Sequence, residues 1–530
     1  PACPMPPTAA ARSTAIGPVP LGTAALALGL AHAACFSTRH GWWLQLLVLA
    51  TLFALVRAPH PRPVARAAMA GFMFGLGSFC AGIGWLYISM HRYGGLAAPL
   101  AAAAVVLLSA YLSLYGAAAL ALAQRFAPAG RGVAAELASI GALAACWTLG
   151  ELARGWVFTG FPWLSLAYAQ PDGPLAIIAA GIGAYGLGGV VVAVAAALAS
   201  IASWRARGGA SVAIACGVVA AIVLALAGVG IAGASAIGAT GPVVSVRLLQ
   251  GNVEQGMKFD PQRALKAMND YTDDILAGEA QLTVLPETAW TTTWRGTPPA
   301  IRDRMFSHLA RTGGWVAIGL PEHASGPRQA SAGMLANSVV VRGPDGEVRG
   351  RYDKRHLVPF GEYVPPAFGW FVRMMDIPLG EFARGEPHQP PVEVGGQAFA
   401  FDICYEDLFP GLLREQVRDG ATVLVNISNI AWFGDSHALG QHLNISRLRA
   451  IELGRPLLRA TNTGMTASID PSGRVLAALP PLTRGALDIE VRGATGLTPY
   501  ARFGHWPAGG FAVALLLALG VRRRPAARKS

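Results

Sequence analysis

Acidic side chains are almost missing from the first 240 residues of this 530-residue chain, where only Glu136, Glu151 and Asp172 occur among the 30 Asp and Glu of the whole. Charged residues make up 14% of the chain against 53% hydrophobic ones, and mean hydropathy is +0.43. Soluble domains carry about 25% charge, so the shortage excludes an ordinary soluble globule for the first half and points to a membrane-embedded one. Lysine is scarcer still: Lys258, Lys266, Lys354 and Lys529 stand against 38 arginines. Of six cysteines, Cys3, Cys35, Cys80, Cys146 and Cys216 fall in the first half, leaving Cys404 alone in the more polar stretch. That stretch therefore holds no internal disulfide, and no CxxC pair or Cys/His cluster offers zinc ligation. GxxxxGK, HExxH and GxSxG patterns are missing too, so nothing signals a P-loop, a zincin or a serine hydrolase elbow. The net charge of +12 does not signal nucleic acid, because the arginines flank apolar runs and crowd the C-terminus instead of lining one soluble face.

What is present is a series of apolar runs. A membrane helix needs about 20 mostly apolar residues, and seven runs precede position 240, at 19–36, 41–58, 66–90, 95–123, 133–153, 173–203 and 211–234. An eighth, shorter run spans 506–521, with Trp506 as an interfacial anchor. Arg12 before the first run and Ala31-His32-Ala33 within it resemble a signal peptide, but the many runs that follow favour a retained span. Basic residues alternate in density between successive connections. Arg57, Arg62 and Arg66, then Arg125 and Arg131, then Arg205 and Arg207, and finally Arg522, Arg523, Arg524, Arg528 and Lys529 fall on one side. Arg39, Arg92 and Arg154 fall on the other. The richer side is expected to be cytoplasmic. Both termini then lie inside and the polar region outside, which in a bacterium is the periplasmic face of the inner membrane. The expected organisation is a transmembrane domain at 1–240, a periplasmic catalytic domain at 241–495, and a last span with a basic tail at 496–530. Two outer connections, His91-Arg92-Tyr93 and Thr159-Gly160-Phe161-Pro162-Trp163, read as an aromatic belt, with a lipid-binding mouth as the alternative.

From about 242 to 492 short β-branched runs alternate with turns and amphipathic stretches. Strands are expected at 243–249, 282–285, 316–320, 338–342, 399–403, 422–426, 457–460 and 466–469, and helices at 261–276 and 438–453, the latter closed by Gly454 and Pro456. Strands alternating with helices argue an α/β fold. Three segments set a reactive side chain just past a β run: Leu285-Pro286-Glu287, Tyr352-Asp353-Lys354 and Phe401-Asp402-Ile403-Cys404. A deprotonated thiol is a strong nucleophile, a carboxylate can take its proton, and an ammonium can stabilise the oxyanion formed on a carbonyl. Together they suffice for acyl transfer through a thioester. The blander readings are a small core cysteine, a solvated Glu287, a surface Lys354, and Glu406 and Asp407 capping a following helix.

These segments resemble the Glu-Lys-Cys signature of the nitrilase superfamily. Longer strings are similar to the membrane-anchored apolipoprotein N-acyltransferase family: QGNV at 250–253 with Gln255, KRHLVPFGEYVP at 354–365, ICYED at 403–407, NIAWFGDS at 429–436, Gln441-His442, IELGRPLLRATNTG at 451–464 and GLTPYAR at 496–502. The resemblance implies a polytopic α-helical membrane domain of about eight spans joined to a nitrilase-like αββα sandwich. It implies that Glu287 is the general base, that Lys354 stabilises the tetrahedral intermediate and that Cys404 forms the thioester. Glu362 and Glu406 match supporting carboxylates, and Tyr405, Trp432 and Phe433 match aromatic positions near the site. Phe259 stands where the family commonly has a tryptophan on a mobile loop, and Ile430 where Asp commonly follows the asparagine. The implied reaction moves an acyl chain from the sn-1 position of a phospholipid, expected to be phosphatidylethanolamine, to the α-amine of the diacylglyceryl-cysteine of an apolipoprotein. It implies no metal and no cofactor. A membrane-tethered amidase using the same trio, and a transporter built around Glu136, Glu151 and Arg154, are the competing readings.

Overall fold

The computed structural model describes residues 18–128, 130–202, 209–257, 260–326, 333–366, 369–372 and 381–521. Phe259, Arg205, Arg207 and the basic tail from Arg522 lie outside them.

Five helices are long and apolar enough to cross a membrane: Pro63–Gly82, Ala98–Phe126, Val133–Arg154, Ala176–Ala202 and Gly209–Ser235. The shorter apolar helices Pro18–Ala34, Gly41–Arg57 and Trp506–Val521 pack against them. Small residues bring two of these helices into backbone contact. A Cβ on Gly71 would stand 2.5 Å from the Gly116 carbonyl oxygen, and close approach of this kind holds helices together where lipid gives no hydrophobic drive.

Two apolar runs differ from continuous spans. The run at 66–90 breaks after Gly82, and a separate helical turn at Leu86–Ile88 then passes into a π-helical turn at Ser89–Tyr93. The Gly82 carbonyl instead accepts from the Trp85 indole at 3.0 Å and from Gln441 Nε2 at 3.0 Å. The run at 173–203 is interrupted at Gly183, which adopts φ +74°. A side chain there would strike the Tyr500 ring at 2.3 Å, so glycine answers both the backbone and the space requirement.

Ionisable groups within the helical domain are consumed by structure. Glu136 accepts from Arg57 at 3.0 Å and from Ser200. Arg154 donates to the carbonyls of Phe161 and Trp163 at 2.8 and 2.6 Å and to Ser165 Oγ at 3.0 Å, while Glu151 accepts from the Leu166 amide at 2.9 Å. This pair builds the 161–166 connection.

After the helices the chain forms two six-stranded sheets. The first runs β12-β1-β2-β3-β4-β5, with β1 Gly238–Gln250, β2 Leu282–Val284, β3 Trp315–His323, β4 Leu335–Arg342, β5 Val348–Asp353 and β12 Gly485–Thr495. The second runs β11-β10-β9-β8-β7-β6, with β6 Val392–Val394, β7 Gln397–Ile403, β8 Val423–Ser428, β9 Leu457–Thr461, β10 Ala467–Ile469 and β11 Val475–Ala478. Within each sheet three neighbours are parallel, β1-β2-β3 and β7-β8-β9. Their alternate side chains meet face to face: Val246, Leu248 and Val284 of one sheet pack with Phe399, Phe401, Val425 and Ile427 of the other. Helices Pro261–Leu276 and Pro299–Thr312 cover the first sheet, and Pro410–Arg418 and Ala438–Leu453 cover the second, giving an αββα sandwich. Local chemistry sets the helix ends. Asp260 accepts from the amides of Gln262 and Arg263 before Pro261, and Gly454 closes Ala438–Leu453 at φ +62°.

Candidate active site

The two parallel trios end at the same edge of the sandwich. Glu287 follows β2, Lys354 follows β5, Cys404 follows β7 and Asn429 follows β8. Glu287 is 6% exposed and Lys354 1%, so neither is a solvated surface charge. Lys354 Nζ donates to Glu287 Oε1 at 3.3 Å and to Glu362 Oε1 at 2.9 Å. Asn337 Nδ2 bridges the same two oxygens at 2.7 and 2.8 Å. Glu287 Oε2 accepts from the Asn429 amide at 2.8 Å, and Glu362 Oε2 from the Val358 amide at 2.8 Å. Every carboxylate oxygen of the pair is thus held by a donor, which is what burial of charge requires.

Cys404 is partly exposed and sits at φ +56°, a left-handed conformation that strains a residue with a Cβ and recurs at functional sites. Burial pushes its thiol well above the usual range. The charges of Glu287 and Glu362 and a hydrogen bond to Glu287 act in the same direction, and Lys354 pulls the other way. Burial opposes the charge on Lys354, but Glu287, Glu362 and Cys404 outweigh it and raise the ammonium above its ordinary value. The resting site is therefore a protonated thiol bonded to a carboxylate beside a fixed cation. A proton can pass from sulfur to Glu287 when a carbonyl comes within reach.

Glu406 touches none of these atoms. It is fully buried and gathers two turns. Its Oε1 accepts from the amides of Arg355 and His356 at 2.7 and 2.9 Å, and its Oε2 from the Ile403 amide at 2.8 Å, with Tyr352 Oη donating to both oxygens. It ties the turn after Lys354 to the turn bearing Cys404. Burial lifts its pKa to about 7, against the pull of those amides and of Lys354. Between the usual carboxylate pKa and about 7 the folded state then binds more protons than the unfolded one, so stability falls as pH rises through that window. Glu452, also lifted to about 7 by burial, adds to the fall. In Glu406→Gln the thermal midpoint is expected to drop less across this window than in the native protein, as read by a melting series from pH 4.5 to 7.5. Asp407, for which helix capping is the blander reading, accepts from Arg459 at 3.1 Å and from Ser446. The following helix begins at Pro410 without a side-chain cap.

The aromatic positions line the junction with the membrane helices. Tyr405 Oη donates to the Gly160 carbonyl at 2.9 Å. Phe433 packs between Trp85 and Trp163, at ring separations of 4.2 and 6.3 Å, and Trp432 meets Tyr93 at 6.0 Å. Gln441 Oε1 accepts from both indoles, Trp85 at 3.1 Å and Trp163 at 2.8 Å. Trp163, 2% exposed, is therefore no belt residue: a buried glutamine and the Arg154 contacts draw its connection inward. The exposed aromatics of that connection are Trp156 and Phe158. Ile430 is fully buried and fills the space over Gly464, where a Cβ would meet its Cδ1 at 2.4 Å. This explains an apolar residue at that position.

Asn337 and Asn429 were not singled out individually from sequence. Asn337 carried a usable signal, a polar side chain inside the apolar strand 335–342 that a buried strand does not tolerate unpaired.

A family model for the apolipoprotein N-acyltransferase N-terminal domain matches residues 28–197, and one for carbon-nitrogen hydrolase matches 245–500. An apolipoprotein N-acyltransferase of Ralstonia nicotianae is 46% identical over 94% of this chain and 93% of its own length. That of Bordetella bronchiseptica is 43% identical over 94% and 96%, and that of Nitrosomonas europaea 38% over 91% and 93%. With both domains matched and identity sustained along nearly the whole length, the chain belongs to the apolipoprotein N-acyltransferase family.

Proposed function

We propose that this membrane acyltransferase moves the sn-1 acyl chain of a phospholipid, phosphatidylethanolamine foremost, to the α-amine of the diacylglyceryl-cysteine that begins an apolipoprotein. Cys404 Sγ attacks the ester carbonyl carbon while its proton passes to Glu287. Lys354 faces the oxyanion of the tetrahedral intermediate. The intermediate collapses, Glu287 returns the proton to the departing glycerol oxygen, and a lysophospholipid leaves. The acceptor amine then attacks the thioester and gives a proton to Glu287. The thiolate departs, takes that proton, and leaves an amide. Glu362 and Asn337 hold Glu287 and Lys354 in register, Glu406 holds the two turns, and Tyr405, Trp432 and Phe433 shape the lipid-facing side. Phe259 is proposed to serve as an aromatic plug over the entrance.

The observation that carries this reading is the seam between the two domains. The residues just after Cys404 pack into the same apolar cluster as the membrane helices, Tyr405 and Leu408 included, so the turn that bears the thiol abuts the part of the protein that meets lipid. A small polar amide has no use for that seam, which favours transfer over hydrolysis. The denser basic residues of alternate connections support a sandwich on the periplasmic face of the inner membrane, with about eight spans and both termini cytoplasmic. In the test, purified protein receives phosphatidylethanolamine labelled in its sn-1 chain together with a diacylglyceryl-cysteinyl peptide. Label is expected on the peptide α-amine with one lysophospholipid released per transfer. Release of free fatty acid without labelled peptide would overturn the proposal in favour of a hydrolase.

A further inference from the structure

Behind Cys404 lies a row of polar groups that the reaction above does not use. Strand register creates it: Asp402 of β7 stands opposite Asn426 of β8, and Asn426 opposite Arg459 of β9. All three are fully buried. The Ala438–Leu453 helix crosses the row and contributes His442 and Ser446, one turn apart on the same side. Arg459 Nη1 donates to Asp407 and to Ser446 Oγ, and Nη2 donates to His442 Nδ1 at 3.1 Å.

A guanidinium offers donors only. His442 Nδ1 must therefore be bare, and the single proton of the neutral ring sits on Nε2. That nitrogen stands 3.2 Å from the Cys404 carbonyl oxygen and donates to it. Asn426 Nδ2 reaches the same oxygen at 3.4 Å. With both nitrogens committed, the imidazole has no lone pair for the thiol and cannot act as a base. What it grips is the peptide joining Cys404 to Tyr405. One end of that peptide carries the strained φ of Cys404, and the other leads to the side chain anchored on Gly160.

We infer that His442, its tautomer set by Arg459, is a positioning residue that holds the Cys404–Tyr405 peptide in the conformation from which Sγ reaches the acyl carbonyl. The inference rests on Cys404 being the acyl carrier. Loss of the grip lets the residue relax from its strained φ and moves Sγ out of line, which slows acylation without touching lipid binding.

The experiment compares His442→Gln, His442→Asn and His442→Phe in the full-length protein. Gln extends an amide nitrogen about as far as Nε2, Asn stops short near Nδ1, and Phe keeps the ring without a donor. Labelled phosphatidylethanolamine is supplied without acceptor, and label on Cys404 is followed in time by mass spectrometry. The Gln variant is expected within about threefold of the native acylation rate, and Asn and Phe about 10- to 100-fold below it. The final fraction of Cys404 labelled should stay native in all three, which loss of folded protein would not allow, and the KM for the donor should stay native as well, which a defect in lipid binding would not allow. Native rates in Asn and Phe, or a Gln variant as slow as they are, would overturn the positioning role. If Phe does not fold, the Gln–Asn pair decides by the same criterion. Failure of the native protein to acquire label on Cys404 would instead overturn the acyl-enzyme reading itself.

Discussion

Cys404→Ser forms no acyl-enzyme and loses transfer by at least about 10⁴-fold, the scale seen when a nucleophile acting as part of a unit is removed. The substitution is nearly isosteric, so the sandwich and the Glu287–Lys354–Glu362 contacts remain. What changes is acidity. Lys354 pulls the thiol toward ionisation and Glu287 accepts its hydrogen bond, but an alcohol is far harder to deprotonate than a thiol. The His442 imidazole gives no help, because it is spent on the Cys404 carbonyl and on Arg459. The measurement is the mass of the 404-containing peptide after incubation with labelled phospholipid, with and without hydroxylamine. An adduct of native abundance in the serine variant would show that the acyl chain is carried elsewhere.

Lys354→Met should lower turnover by about 10³-fold or more, the scale of losing an oxyanion donor together with the cation of a buried pair. Methionine fills the volume of the stem but leaves Glu287 Oε1 and Glu362 Oε1 facing each other across the vacated point, each having lain about 3 Å from the ammonium. Two carboxylates so placed cannot both stay ionised, and one takes up a proton. If Glu287 is that one, it can no longer receive the thiol proton. Removing Lys354 also removes the charge that pulls the Cys404 pKa down, so residual activity should move to higher pH than in the native enzyme. Lys354→Arg is expected to rescue little, because a planar guanidinium does not fit a site 1% exposed and shaped for a compact ammonium. The check is a pH–rate profile alongside a thermal melt. A rate within threefold of native at any pH would reject the assigned role.

The sequence resolves the polytopic part readily because apolar runs are a one-dimensional signal. It resolves the helices 261–276 and 438–453 to their ends because Asp260-Pro261 and Gly454 mark them. It misplaces continuity within two apolar runs, since hydropathy does not register that Gly82 hands its carbonyl to Gln441 or that Gly183 makes room for Tyr500. Both are contacts with residues hundreds of positions away. Strands β5, β6, β11 and β12 are too short, too exposed or too polar to announce themselves. At the site, chemistry-bearing residues at strand ends were visible, and Glu287, Lys354 and Cys404 do converge in space. The asparagines and His442 were not assigned roles, because a hydrogen-bonded polar residue inside a strand or helix has no local pattern. Its partner is set by register between strands.

Glu452 shows what the junction means for the molecule as a whole. Its carboxylate accepts from the Ala184 amide, freed where Gly183 breaks the membrane helix, and pairs with the fully buried Arg449 at 2.8 Å. A sandwich cut away from its helices would expose an apolar helix flank to water and strip this carboxylate and the Gln441 amide of the partners they have in the helical domain. The membrane helices are thus a fifth layer of the enzyme: they finish an interior that the αββα stack leaves open. An excised catalytic domain should behave as an aggregating fragment, and neither half can be exchanged for an unrelated one without redesigning that shared wall.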